Sequence, residues 1–94
     1  MKNITDKVFE IIEILKARGV IRFYADVYRV MDMAKGNFNQ VKIGQYDFTV
    51  RQLYLFINHY KVNANYLFKN DPNIFDTNNT QIVKKTELSI FSNN

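Results

Sequence analysis

The sequence predicts an all-α fold, five short helices followed by a short polar tail. Apolar residues recur every three to four positions in successive stretches between residues 4 and 68, the spacing that keeps one face of a helix apolar. These stretches are bounded by residues that start or stop helices, with Asn or Thr ahead of them and Gly behind. At 94 residues, 47% hydrophobic and 15% aromatic, the chain has material for one core and one domain.

Residues 4–18 set Val8, Ile11, Ile12 and Leu15 on one stripe, with Asn3 or Thr5 available as N-cap and Gly19 at the stop. The other side of this first helix mixes Glu10 and Glu13 with Lys7, Lys16 and Arg18 and reads as a solvated face. In the second helix Phe23, Val27, Val30 and Met31 hold an apolar face until Asp32 interrupts it, so the helix ends near Met31. Asp32 tolerates the left-handed backbone of a tight inter-helix turn, though less readily than glycine, and Met33 then points inward.

Ala34 starts the third helix. Phe38 and Val41 fall on its buried face, whereas Lys35, Gly36, Asn37, Asn39, Gln40 and Lys42 are polar or lack a side chain, and Gly44 ends it. Two short helices, a tight turn and a polar second helix closed by glycine are the layout of a helix-turn-helix DNA reader. Asn and Gln amides pair bidentately with adenine, Lys reaches guanine or phosphate, and a helix N-terminus favours phosphate. Lys35, Asn37 and Gln40 are therefore suited to reading bases. Gly36 keeps that end slim, at a cost of about 1 kcal/mol relative to Ala. On composition alone, the solvated face of an ordinary helix accounts for these residues equally well.

Thr49 and Gln52 form a capping box ahead of a fourth helix that begins at about Val50 and carries Leu53, Phe56, Ile57 and Tyr60 on its stripe. Asn63 caps a short closing helix in which Val62, Tyr66, Leu67 and Phe68 pack on the bundle. From Lys69 the composition turns asparagine-rich around the single proline. The partial alternation over residues 80–91 allows one strand or pairing with a second copy, against the plainer reading of a mobile terminus. Ile74 and Phe75 are candidates to dock on the bundle.

With these elements in place, residues 4–68 resemble the lambda-repressor-like helix-turn-helix family, the Cro and phage-repressor type, and especially small regulators of Bacteroidetes bacteria and their phages. The resemblance rests on the spacing of Val27, Met31, Met33, Phe38, Val41 and Gly44, on FTVRQLYLF, and most distinctively on VNANYLF at residues 62–68. It implies a compact five-helix domain over residues 1–70, with residues 71–94 as a C-terminal tail. It also implies a helix over 34–43 in the major groove and a preceding helix braced on the phosphates. By carry-over Lys35, Gly36, Asn37 and Gln40 face bases, and Tyr24, Asn39, Lys42, Gln45 and Tyr46 touch the DNA backbone. The family usually has Ala where Tyr28 stands, Gly where Asp32 stands, and often a polar phosphate contact where Ile43 stands.

The resemblance implies a sequence-specific, repressor-like transcriptional regulator that binds double-stranded DNA as a homodimer in the cytoplasm of a bacterial host, with a phage origin open. The rival reading is a protein-interaction or structural module that retains the fold without DNA binding, to which Tyr28, Asp32 and Ile43 point. Net charge is +4, and because residues 69–94 hold three lysines against three acids, the whole excess lies in the helical part. With no cysteine and His59 as the single histidine, neither a zinc site nor a Cys-His nucleophile is expected. Three glycines supply no phosphate-cradling loop, so catalysis is set aside, and no cofactor or small-molecule ligand is expected. No apolar run approaches the roughly 20 residues that span a bilayer, and the N-terminus lacks a signal-peptide core.

Overall fold

The structure, a computed structural model, describes residues 2–76. These form five helices and no strand: α1 (Ile4–Ala17), α2 (Tyr24–Val30), α3 (Lys35–Lys42), α4 (Val50–Tyr60) and α5 (Ala64–Lys69). The all-α expectation is met. The expectation for residues 80–91 lies outside the described residues.

Short polar side chains set most of the helix starts. At α1, Asp6 N–H donates to Asn3 Oδ1 (2.8 Å) and Asn3 N–H to Asp6 Oδ2 (3.3 Å), so Asn3 rather than Thr5 is the cap. Thr49 and Gln52 exchange the same pair of bonds at α4, at 3.1 and 2.8 Å. Asn63 Oδ1 accepts from Asn65 N–H at α5 (3.0 Å). At α2, Asp26 Oδ2 accepts from the N–H groups of Arg22 (2.8 Å) and Phe23 (3.1 Å). These bonds hold the Asp26 carboxyl below the usual aspartate range.

Every helix stops at a residue with left-handed backbone: Gly19 (φ 75°), Asp32 (57°), Gly44 (87°), Lys61 (57°) and Asn70 (63°). In the first four the next N–H reaches back five residues, Val20 to Leu15 O (2.9 Å), Met33 to Tyr28 O (2.8 Å), Gln45 to Gln40 O (2.8 Å) and Val62 to Ile57 O (3.0 Å). Asp32 therefore makes the turn expected of it, and Met33 is buried behind it. Arg51 Nη1 donates to Asp32 Oδ2 at 3.1 Å, linking the α2–α3 turn to the first turn of α4.

The core is built on Val8, Ile11 and Ile12 of α1, Val27 and Met31 of α2, Phe38 and Val41 of α3, and Phe56 of α4, all essentially inaccessible. Ile21 and Phe48 complete it from loops. Ile74 and Phe75 dock as expected. Asn63 N–H donates to Ile74 O (2.8 Å), Asp76 N–H to Lys61 O (2.8 Å), and Val62 pairs with Phe75 in an isolated antiparallel bridge.

Three expectations need correction. Phe23 is 65% exposed rather than on the buried face of α2. It sits one residue before the helix with extended backbone, φ −128° and ψ 157°, so the helical period does not govern where its ring points. Phe68 is likewise exposed, and of α5 only Leu67 is buried. The polar side of α1 is not simply solvated. Lys7 Nζ donates to Tyr66 O (2.9 Å) and Glu10 accepts from both Lys2 and the Tyr66 hydroxyl, so these residues fasten α5 to α1.

Candidate nucleic-acid interface

The position of α3 follows from Phe38. Its ring, wholly buried, is surrounded by those of Phe9 (5.4 Å between centroids), Tyr24 (5.5 Å), Tyr28 (5.6 Å) and Phe48 (6.2 Å). The rings meet at tilts of 45–57°, within the offset and edge geometries that aromatic pairs favour. Phe38 thus meets aromatic rings from α1, α2 and the α3–α4 loop. Tyr28 neither swings away nor lies idle at the α2–α3 crossing, because its ring packs on Phe38. Neither Phe9 nor Phe48 stands out in the sequence, since each falls off the stripe or outside a helix.

With Phe38 and Val41 buried, the rest of α3 faces outward. At about 100° per residue, Gly36, Asn39, Gln40 and Ile43 centre on the face opposite the core. Asn37 lies on one flank, and Lys35 and Lys42 on the other. All of these are exposed, as are Gln45 and Tyr46 just beyond the helix. Gly36 keeps a helical backbone, and a Cβ built on it meets nothing within 4 Å, so packing within the chain does not demand glycine there.

The start of α3 has neither an N-cap side-chain bond nor a reciprocal capping side chain: Ala34 occupies the N-cap, and, as in α4 and α5, the first turn contains no acid. At α1, α4 and α5 the N-cap side chains of Asn3, Thr49 and Asn63 accept from the first turn, while at α2 the N-cap Phe23 makes no such bond and Asp26 instead accepts from the N–H groups of Arg22 and Phe23. The N–H groups of Lys35, Gly36 and Asn37 therefore point outward without a protein acceptor among the described residues, and the positive end of the helix dipole is left uncompensated beside the Lys35 ammonium.

Two of the sequence-derived contact residues meet at the other end of the helix. Lys42 Nζ stands 4.6 Å from the centroid of the Tyr24 ring, and Lys16 Nζ of α1 lies 4.9 Å from the same centroid. The Tyr24 hydroxyl donates to Glu13 Oε2 (3.3 Å), and Lys16 Nζ also lies 3.8 Å from Glu13 Oε2. Lys42, Tyr24 and Lys16 thereby form a cationic edge across α3, α2 and α1. Lys16 was invisible to sequence reasoning, which grouped it with a solvated face, and only the packing of α1 against α2 brings it here. The Lys35, Asn37 and Gln40 side chains are not drawn to any partner among the described residues.

Comparisons with protein-family models, with curated proteins and with solved structures give no match for this chain. Among the described residues there is no group of three or more His, Cys, Asp or Glu that could hold a metal, and no helix is long and apolar enough to cross a membrane.

Proposed function

We propose that this chain is a sequence-specific regulator that binds double-stranded DNA, with α2 and α3 as its helix-turn-helix and α3 in the major groove. The observation that carries this reading is the start of α3. Its outward N–H groups lack a cap, its first turn holds no carboxylate, Lys35 stands beside them, and Gly36 adds no bulk where a phosphate backbone would approach. Gln40 and Asn37 supply amides for base edges, and Lys42 and Tyr24 supply a backbone contact. Repression by occupancy of its DNA site is the role this reading assigns to the domain, in a bacterial or phage-infected cytoplasm. A single motif of this kind buries only about 600–1,000 Å² on DNA, so two copies on half-sites about one helical turn apart are the economical arrangement.

One observation favours a second reading, an interaction module that meets another protein. Val50 is 84% and Ile43 67% exposed, and Tyr46 and Tyr54 nearby in sequence are also exposed. Amide chemical-shift mapping with a random-sequence duplex separates the two. The DNA reading expects shifts concentrated on residues 34–42 and around Tyr24, and the interaction module expects none there.

A further inference from the structure

Away from α3, a groove of about 570 Å³ runs between the end of α1, one side of α2 and the end of α4, and Phe75 closes it. Its apolar floor includes Leu15 and Ile21, both nearly inaccessible. Its rim carries Arg18, Arg29 and Lys61, with His59 beside them. The one carboxylate lining the groove, Asp26, is already committed to the N–H groups of Arg22 and Phe23. Arg18 is held over the groove by the Phe75 ring, its guanidinium carbon 5.1 Å from the ring centroid. None of the three ion pairs among the described residues involves Arg18, Arg29 or Lys61, though the charge of Arg29 helps to hold the Asp26 carboxyl low.

An apolar floor under a rim with three cations against one carboxylate has a defined complement. We infer that this groove binds a small amphiphilic anion, a carboxylate or phosphate attached to an apolar body, with the anion between Arg18 and Arg29 and the body on Leu15, Ile21 and Phe75. The volume lies within the range of small-molecule sites, and planar guanidinium groups match both anions bidentately. Lys61 adds positive potential to the rim. A neutral ligand leaves the rim unused, and an inorganic anion leaves the floor exposed to water. The inference is independent of DNA binding, because no residue of α3 lines the groove.

The test is a chemical-shift titration of the full chain with phenyl phosphate and 3-phenylpropionate, against inorganic phosphate and phenol as controls that each lack one half of the pattern. Both amphiphiles are expected to give saturable shifts at Arg18, Ile21, Arg29 and Phe75 at millimolar concentration. The controls are expected to bind about tenfold more weakly. Arg18→Gln and Arg29→Gln, both at exposed positions and each checked for an unchanged melting temperature, are expected to weaken binding about tenfold, the value of a charge-assisted hydrogen bond. Saturation by only one amphiphile would identify which anion the site takes and still support it. The inference is overturned if neither amphiphile saturates, if inorganic phosphate shifts every surface cation to the same degree as phenyl phosphate, or if both variants bind as the parent does.

Discussion

The ring of Phe38 on α3 packs 5.4 Å from that of Phe9 on α1, so the exposed face of α3 is aimed by a contact with a helix to which its own sequence gives no clue. Removing the Phe38 ring leaves a void bordered by four other rings. Phe38→Ala is expected to cost about 3–5 kcal/mol, a large share of what a domain of this size has. Asn39→Ala, one residue on and exposed, should change stability by less than about 0.5 kcal/mol. Urea unfolding of the two variants checks this, and equal midpoints would place the wrong face of α3 in the core.

Gly36 separates the two interpretations of the α3 surface. With open space around its Cα and a helical backbone, Gly36→Ala should raise stability by up to about 1 kcal/mol. If the α3 backbone approaches a phosphate closely, the same substitution weakens duplex binding while raising the melting temperature. A solvated face gives the gain in stability with no change in binding. Thermal melts and binding isotherms on one protein preparation supply both values.

Acid and alkali should act through the α1–α5 contact. Lys2 and Tyr66 both donate to Glu10, and these bonds hold its carboxyl below the usual 4.5. A carboxyl with a lowered folded-state pKa contributes stability that is present above its unfolded value and is lost as the pH falls through its folded value. The bond to Glu10 pushes the Tyr66 hydroxyl up to about 12 from its usual 10. That contribution is complete below pH 10 and is lost as the pH rises towards about 12. Denaturation midpoints across pH should therefore show a shallower acid limb in Glu10→Gln and a shallower alkaline limb in Tyr66→Phe. Unchanged limbs in both would mean that the contact does not hold in solution.

The elements were legible in the sequence where one short-range signal decided them. Thr49 and Gln52 announce α4, Asn63 announces α5, and Asp32 announces its own left-handed turn because its short side chain tolerates that backbone. The same backbone at Lys61 carries no compositional mark, since tertiary contacts around the docked Ile74–Asp76 segment fix it. Phe23 misled because helical periodicity was extended one residue past the true start. The exposed polar face of α3 was legible for the same reason as its core face, namely a clear period. What the period does not encode is which distant side chains converge on it. Phe9 and Phe48 under Phe38, and Lys16 beside Tyr24 and Lys42, appear only once α1 has packed against α2.

The central claim, that the uncapped end of α3 and the Lys42 edge meet the phosphates of duplex DNA, is tested most directly by fluorescence anisotropy with a labelled duplex at two salt concentrations. Each neutralised phosphate should lower log K by about 0.9 per unit of log salt, so engagement by Lys35, Lys42 and the α3 N–H groups predicts a slope of roughly −2 to −3. Lys42→Ala should make that slope shallower by about 1 while weakening all sequences alike. Absence of binding at low salt, or binding whose strength does not change with salt, would contradict the claim and leave the interaction module as the better account.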